Sequence, residues 1–232
     1  MYRYLTDKPN PDGLFAVLAE GDAESSFAMK DNVSPDFTIR PFEAGDEFDV
    51  RELFVAVNRL LCPPDMRERF EAYIARSLAE EIDRIPDYYN ERGGGFWVAV
   101  RERRIIGMFG LEPGTPGSVE LRRMYVDPSS RRSGVASAML RFAEDECRRL
   151  GVRRIELSTS ELQAAAIAFY VRAGFQLLRT VVASEASHKT IGGGIQRYHF
   201  EKTLSQKPDR QRQAKLETQK GKRHVNASSD DA

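Results

Sequence analysis

The chain has 232 residues, with 35 basic and 35 acidic side chains, and 41% of its residues are hydrophobic. This length fits one domain with flanking segments better than two full domains. The zero net charge argues against a protein that binds nucleic acid through a basic surface, so we expect no nucleic-acid partner. No run of about 18 apolar residues could span a membrane, and residues 1–20 lack the apolar core of a signal peptide. We therefore expect a cytoplasmic protein without a membrane partner, in which Cys62 and Cys147 are reduced.

The two ends of the chain differ in composition from its middle. Residues 1–35 are broken by prolines and a glycine, and we interpret them as a loose N-terminal leader. Residues 205–232 carry seven basic and four acidic side chains and almost no apolar ones. Such a segment cannot bury enough apolar surface to offset its ordering entropy, so we predict a disordered basic tail. Residues 36–204 are left as one folded domain.

The first half of this domain begins with a strand and two helices. Residues 37–41 predict a short strand that ends at a proline. Apolar residues at helical spacing predict a helix over residues 50–61, which stops at Pro63 and Pro64. The same spacing over residues 70–85 predicts a second helix that ends before Pro86.

Three strands follow, over residues 96–100, 105–111 and 119–126, and the first two form a hairpin. An amphipathic helix then begins near Gly134, and a further strand follows at residues 155–157. A strand, a helix and a strand in this order form a crossover, which predicts parallel pairing. A last helix over residues 163–172 and two strands, at 177–182 and 198–203, complete a mixed α/β domain around one sheet.

The junction between a strand and a helix at residues 131–136 can hold a phosphate group. The unpaired N–H groups at a helix N-terminus attract anions, and Gly134 permits a close approach. Arg131 and Arg132 add positive charge. The segment is neither a Walker A loop nor a Rossmann fingerprint, and alone it fits an ordinary turn with solvated arginines slightly better than a phosphate site.

The wider context resembles the GNAT acetyltransferase superfamily. The first block runs through Met124, Tyr125, Val126-Asp127-Pro128 and then Arg131-x-x-Gly134-x-Ala136, as in the acyl-CoA signature of the family. A second block, residues 163–175, resembles the later helix of the family, which ends in Tyr-x-x-x-Gly-Phe. Both blocks stand in the order and at the spacing of the family, and the resemblance covers residues 37–204. Arg132 replaces a frequent glycine, and Gln163 replaces a frequent asparagine.

The resemblance implies a single α/β domain with a mixed, mostly antiparallel sheet, a splayed central parallel strand pair and helices on both faces. It also implies acetyl-CoA as the acetyl donor. Its pantetheine arm would lie along Met124, Tyr125 and Val126 and near Gln163. Its pyrophosphate would lie in a loop made by Arg131, Arg132, Ser133, Gly134, Val135 and Ala136.

The same resemblance assigns the catalytic groups. Tyr170 matches the tyrosine that protonates the departing thiolate, although a buried core aromatic is the alternative interpretation. Glu120 is a candidate base for the attacking amine, and a solvent-facing carboxylate explains it equally well. No zinc-type spacing of Cys and His occurs, so we expect no metal.

The acceptor is expected to be a small-molecule amine. In this fold the first two helices and the late hairpin shape the acceptor site. Here they carry Tyr88, Tyr89, Asn90, Glu80, Glu81, Asp83 and Gly192-Gly193-Gly194. Such groups suit a cationic amine, and a solvated helix face explains the carboxylates as well. We expect a monomer or a homodimer. The alternatives are an acyl-CoA sensor without turnover, an acetyltransferase acting on protein N-termini or lysines, and RNA binding through the tail.

Overall fold

The computed structural model describes residues 3–4 and 36–205. The strands are β1 (Arg3–Tyr4), β2 (Thr38–Pro41), β3 (Gly95–Arg101), β4 (Arg104–Pro113), β5 (Ser118–Val126), β6 (Arg154–Ser160), β7 (Gln176–Ala183) and β8 (Ile195–Thr203). The α-helices are α1 (Glu47–Leu61), α2 (Arg67–Glu80), α3 (Ile85–Asn90), α4 (Val135–Arg149) and α5 (Ala164–Arg172). The rest of the predicted leader and the predicted tail from residue 206 onward lie outside the described residues.

The described strands form one sheet in the order β1-β7-β8-β6-β5-β4-β3-β2. Neighbouring strands run antiparallel except β5 and β6, which run parallel because α4 connects them as a crossover. The predicted hairpin is β3 and β4, and α4 begins directly after Gly134, as predicted. The fold class expected from the sequence, with a mostly antiparallel sheet and one splayed parallel pair, is confirmed.

Helices pack on both faces of the sheet and bury it. Successive strand residues face opposite sides, so neighbours on β4 belong to different cores. Phe109 packs in a cluster with Met139 of α4 and residues of α5. Met108 packs in a second cluster with Phe54 of α1 and Tyr73 of α2. None of the helices within residues 36–205 has the length and apolar composition needed to cross a membrane.

The second helix is shorter than its spacing predicted. It ends at Glu80, and a 3-10 turn over Ile82–Arg84 leads to the separate helix α3. Pro86 lies in the first turn of α3 instead of ending a helix. Proline is tolerated there because the N–H groups of a first turn have no intrahelical acceptor. The break between α2 and α3 turns Glu81 into the interior of the protein.

Strands β5 and β6 pair over only a short stretch, from Ser118 opposite Arg154 to Glu120 opposite Glu156. Beyond these positions β5 stays with β4, and β6 stays with β8. The two strands diverge, and the β5 edge from Leu121 onward has no strand partner on the β6 side among the described residues. Backbone groups on an open edge remain available to an extended ligand.

Candidate active site

A cavity of about 110 Å³ lies where β5 and β6 diverge, and we call it the fork cavity. Residues of α1, α2 and α5 and the segment before β8 complete its walls. Its lining includes five residues that the sequence singled out: Glu120, Met124, Tyr125, Gln163 and Tyr170. Val126 and residues 131–136 do not line the cavity; they follow in the chain, at the end of β5 and the start of α4.

Strand β5 is bulged where it lines the cavity. Arg122 lies opposite Gly110 and Tyr125 opposite Met108, so β5 holds one residue more than β4 over this stretch. Arg123 within the bulge has a φ of 51°. A regular strand sends successive side chains to opposite faces, whereas a bulge redirects them. The bulge thus lets Arg122 and Arg123 reach the same partner.

That partner is Glu81, a fully buried carboxylate. Arg122 and Arg123 each donate to Oε2 of Glu81 at 2.7 Å, and the Tyr89 hydroxyl donates to Oε1 at 2.8 Å. Burial by itself raises the pKa of the Glu81 carboxyl, but the two guanidinium groups outweigh it and lower that pKa. The expectation that Glu81, Tyr88 and Tyr89 face a cationic acceptor is therefore wrong. All three are buried, and the charge of Glu81 is already compensated.

A row of carboxylates crosses the sheet at the fork. Directly paired positions on β4, β5, β6 and β8 hold Glu112, Glu120, Glu156 and Glu201. Like charges opposite each other destabilise a sheet unless cations compensate them. Arg154 Nε lies 3.3 Å from Glu156 and 3.6 Å from Glu201. At the cavity end of the row, Lys189 Nζ lies 2.5 Å from Oε1 of Glu112 and 3.2 Å from Oε2 of Glu120.

Glu120 occupies the last paired position of β5 before the fork, and its side chain is 27% exposed. The Lys189 ammonium beside it demonstrates that an amine nitrogen can contact this carboxylate. Glu112 differs, because its side chain is only 6% exposed and is also bound by Arg122 at 2.7 Å. Although burial raises the pKa of the Glu112 carboxyl, Arg122 and Lys189 lower it to about 2. Of the two carboxylates, Glu120 is the one open to a ligand.

Tyr170 lies on α5 and is buried on the opposite wall of the fork cavity. Its ring packs edge-on against Phe169 and Phe175, with centroid distances of 5.4 and 5.5 Å. Burial, with a further contribution from Tyr125, raises the pKa of the Tyr170 phenol. The phenol is therefore protonated at neutral pH. Tyr170 is at once part of the core and part of the cavity wall, and its role as proton donor stays a prediction.

The segment between β7 and β8 lies over the cavity and is tied to α2 and β5. Ser77 Oγ donates to the carbonyl of His188 at 3.0 Å, and Arg123 donates to the same carbonyl at 2.6 Å. The His188 ring lies 2.9 Å from Glu80 through Nδ1 and 3.2 Å from the Tyr88 hydroxyl through Nε2. These contacts fix the backbone next to Lys189.

The start of α4 presents open backbone N–H groups. Gly134 is the N-cap residue of α4, with a φ of 83°, and a Cβ added there would meet no atom within 4 Å. The first N–H groups of a helix have no intrahelical acceptor and form the positive end of its dipole. Residues 131–134 are exposed in front of them. An anionic group can therefore reach the N–H groups from the solvent.

Arg132 takes a left-handed conformation, with a φ of 63°. Residues with a side chain rarely adopt this conformation, which glycine adopts without strain. The position is the one at which the GNAT signature frequently has glycine. The departure noted in the sequence is therefore accommodated by a strained backbone, with the Arg132 side chain directed to the solvent.

Gln163 immediately precedes α5 and lines the fork cavity. Its backbone carbonyl accepts from the N–H groups of Ala166 and Ile167, and its side-chain Oε1 accepts from Thr159 Oγ1. The side chain is thus held at the cavity by the end of β6. Its predicted contact with a pantetheine arm stays a prediction.

The open β5 edge and the exposed α4 N-terminus fit a ligand with an amide-bearing chain and a phosphate group. The chain can pair with the β5 backbone, and the phosphate can bind the N–H groups beyond Gly134. Among the described residues, no group of three or more His, Cys, Asp and Glu side chains is placed to hold a metal ion.

Sequence reasoning missed Lys189, Glu112 and the two arginines of the bulge. Polar and apolar residues alternate from Ser118 to Arg122, and the second consecutive charge at Arg123 interrupts this alternation, which is a signal of a bulge. No local pattern marks Lys189. It reaches Glu120 across 69 positions of the chain, through the sheet topology.

The sequence profile of the acetyltransferase (GNAT) family matches residues 61–175. The chain is 32% identical over 110 residues to N-acetyltransferase 8 of Homo sapiens. The aligned region covers 45% of this chain and 48% of that protein. The protein therefore belongs to the acetyltransferase (GNAT) family, as its sequence motifs implied. The chain spans about half the length of this relative.

Solved structures of the family share the fold. A GNAT-family acetyltransferase from Staphylococcus aureus Mu50 has a TM-score of 0.57 at 17% identity and covers 73% of this chain and 99% of its own. The PaiA N-acetyltransferase of Thermoplasma acidophilum, solved in complex with coenzyme A, has a TM-score of 0.56 at 17% identity. It covers 72% of this chain and 98% of its own.

Proposed function

We propose that this protein is an acetyl-CoA-dependent N-acetyltransferase that acetylates the primary amine of a small molecule. The fork cavity carries the proposal, because Glu120, Met124 and Tyr170 surround one space at the open β5 edge. Family membership supports the same activity, and the Thermoplasma acidophilum neighbour binds coenzyme A. A cytoplasmic location and a monomeric or homodimeric state are part of this proposal.

The chain binds the donor through two surfaces. The backbone of Met124, Tyr125 and Val126 pairs with the pantetheine arm as a strand would, and Gln163 contacts it from the α5 side. The backbone N–H groups of residues 131–136 bind the pyrophosphate, with Arg131 and Arg132 as mobile cations. When bound, acetyl-CoA supplies an activated acetyl group at the fork.

Glu120 removes a proton from the attacking amine, directly or through a water molecule. An ammonium must lose a proton before its nitrogen can attack a carbonyl carbon. Lys189 supports this role, because its own ammonium already lies 3.2 Å from the Glu120 carboxylate.

Tyr170 donates a proton to the departing thiolate. A phenol with the ordinary pKa of about 10 is already protonated at neutral pH, and burial raises the pKa of Tyr170 further, so the proton is present when the thiolate forms. The acetyl group passes directly to the amine, without a covalent enzyme intermediate. No cysteine lines the fork cavity among the described residues, and burial raises the pKa of the Cys147 thiol to about 12.

The first test is a melting scan with acetyl-CoA. Binding to the folded state alone should stabilise it by about 2.7 kcal/mol at a hundredfold excess over the dissociation constant. Gly134→Glu should abolish this stabilisation, because it places a negative charge and bulk where the pyrophosphate binds.

Gly151→Glu is the matched control, at the other end of α4. Gly151 also has a positive φ and open space around its Cβ position, so the backbone strain is similar. We expect this variant to melt earlier but to keep the full shift with acetyl-CoA. The proposal fails if saturating acetyl-CoA leaves the melting temperature of the unmodified chain unchanged.

Thiol release from acetyl-CoA over a panel of amines tests the transfer step. The panel should contain amino acids, polyamines, aminated drugs and peptides with free N-termini or lysines. Turnover on small amines supports the proposal, whereas turnover confined to peptides identifies a protein acetyltransferase. Binding of acetyl-CoA without turnover on any amine identifies a sensor.

A further inference from the structure

We propose that Lys189 is a built-in acceptor, so that the protein acetylates its own Lys189 when no external amine occupies the fork cavity. This inference rests on the proposed function, because it uses the same donor and the same catalytic groups. It concerns a modification site within the active site.

The position of the Lys189 nitrogen carries the inference. Nζ lies 3.2 Å from Oε2 of Glu120, the proposed base, and Lys189 lines the same cavity as Met124 and Tyr170. Its side chain is 41% exposed, so the amine is accessible from the cavity. A primary amine is therefore held where the proposed reaction requires its acceptor.

The surrounding backbone holds this amine in place. The Lys189 N–H donates to Ser187 Oγ at 3.1 Å, and Ser187 and Thr190 form an isolated β-bridge. The carbonyl of His188 accepts from Ser77 and Arg123. A lysine fixed on both sides in this way presents its nitrogen at high effective concentration, which favours an intramolecular reaction over one with a free amine.

The reaction balances with acetyl-CoA as the only co-reactant. Glu120 takes a proton from the Lys189 ammonium, and the neutral nitrogen attacks the thioester carbonyl carbon. A C–N bond forms and the C–S bond breaks. The attacking nitrogen gives its second proton to the solvent, Glu120 releases the proton it took to the solvent, and the thiolate takes a proton from Tyr170. The Tyr170 phenol is reprotonated from the solvent. The products are N-acetyl-Lys189 and the coenzyme A thiol, with one proton released overall.

Acetylation changes the cavity electrostatically. It removes the positive charge that Glu112 and Glu120 share, while Arg122 still compensates the buried Glu112. Glu120 then faces the cavity without its ammonium partner. Acetylation of Lys189 thus removes the cation that competes with an external cationic amine for the Glu120 carboxylate.

Lys202 provides a matched control within the same chain. It is the other lysine among the described residues, and it too is part-buried and paired with a carboxylate, Glu144, at 2.6 Å. It lies on β8, beside α4, and does not line the fork cavity. Uncatalysed acetylation by free acetyl-CoA should modify the two lysines at rates that differ by less than about 10-fold, because their side chains are 41% and 23% exposed, whereas the catalysed reaction favours Lys189 by more than that.

The experiment incubates the full chain with isotopically labelled acetyl-CoA and no amine, and measures the label on each lysine by peptide mass spectrometry. We expect Lys189 to be labelled at least 10-fold faster than Lys202. The rate per molecule should not depend on protein concentration. Glu120→Gln, checked for folding by its melting shift with acetyl-CoA, should slow the labelling of Lys189 at least 10-fold and leave Lys202 unchanged.

Equal labelling of the two lysines, a rate that rises with protein concentration, or unchanged labelling in Glu120→Gln would each overturn the inference. Amine turnover measured on the same preparation separates it from the proposed function. Turnover on external amines without label on Lys189 overturns this inference alone. Absence of both turnover and label, with acetyl-CoA still raising the melting temperature, overturns both.

Discussion

Glu81 is the residue that ties the break between α2 and α3 to the bulge of β5. Its carboxylate is fully buried and binds Arg122, Arg123 and Tyr89 at 2.7 to 2.8 Å. A buried carboxylate is tolerated only when paired, and the removal of one partner leaves the others as uncompensated charges. Arg122 and Arg123 therefore share Glu81, and Arg122 also pairs with Glu112.

We expect Glu81→Gln to lower the free energy of unfolding by about 3–5 kcal/mol, because the buried Arg123 guanidinium loses its counter-charge and Arg122 keeps only Glu112. Urea unfolding of the purified variant measures this change. Glu71→Gln is the control, since Glu71 forms a two-point ion pair with Arg59 on the exposed surface. Solvent screens that pair, so we expect little change. Similar midpoints for Glu81→Gln and the unmodified chain would contradict the prediction.

Tyr170 is both a core aromatic residue and the proposed proton donor, and removal of its hydroxyl group tests the second role alone. Tyr170→Phe keeps the aromatic ring in the core and removes only the hydroxyl group. We expect acetyl-CoA to raise the melting temperature as before, while turnover falls by about 100-fold or more because the thiolate loses its proton donor. Thiol release under saturating substrate measures the effect. Tyr198→Phe, a tyrosine outside the fork cavity, should turn over normally. Equal turnover in both variants would remove Tyr170 from the mechanism.

At the scale of elements, the loop before α4 combines an expected helix start with an unexpected conformation. The Gly134 N-cap and the helix from Val135 followed from residue types alone, because glycine and the apolar stripe act locally. The left-handed conformation of Arg132 does not follow from residue types. It depends on where the end of β5 must deliver the chain to the start of α4.

The strain at Arg132 can be tested by comparing how glycine at positions 132 and 131 changes the free energy of unfolding. Arg132→Gly should leave the free energy of unfolding unchanged or raise it by up to about 1 kcal/mol, because glycine adopts a positive φ without a steric cost. Arg131→Gly should lower it by about 0.5–1 kcal/mol, because Arg131 has an ordinary φ of −67° and glycine adds only unfolded-state entropy. Urea unfolding of both variants measures these changes. An equal decrease in the free energy of unfolding of both variants would contradict a strained backbone at Arg132.

At the same scale, the helix before α3 was predicted too long. Ile82 and Ile85 continue the apolar spacing of α2, so periodicity alone extends the helix to Pro86. The chain leaves the helix at Glu81 because the carboxylate must reach the arginines of β5. Ion pairs between distant residues thus end the helix earlier than the local apolar spacing predicts, and the spacing itself contains no sign of these ion pairs.

For the whole molecule, Leu204 is the last buried residue of the described range 36–205. This side chain is 3% exposed, and its N–H donates to the carbonyl of Arg153 at 2.7 Å. The sequence predicts that the folded domain ends at Leu204, since apolar residues become rare beyond it. Residues 206–232 are therefore expected to contribute nothing to the stability of the domain.

A chain ending at Ser205 should unfold at the same temperature as the full chain in calorimetry. Leu204→Ala in the full chain is the control that reports on the last core position. We expect it to lower the free energy of unfolding by about 2–4 kcal/mol, because it opens a cavity in a closed core. A clearly lower melting temperature of the truncated chain would mean that part of the tail packs on the domain.

By itself, the sequence determined the order of strands and helices from β2 onward, except for the break that separates α3 from α2. It also determined the parallel crossover, the start of α4 and the two motifs that indicate the family. These features depend on residues a few positions apart, whose spacing and caps are set by local backbone geometry. The composition shows equal numbers of acidic and basic side chains but not their positions. Only the tertiary structure decided that some of these charges are buried around Glu81 and that four carboxylates form a row at the fork. It also decided that Lys189 meets Glu120. Such contacts depend on strand register, on one bulge and on the divergence of β5 from β6. These features bring residues together that are far apart in the chain, and no local sequence pattern specifies which residues they are.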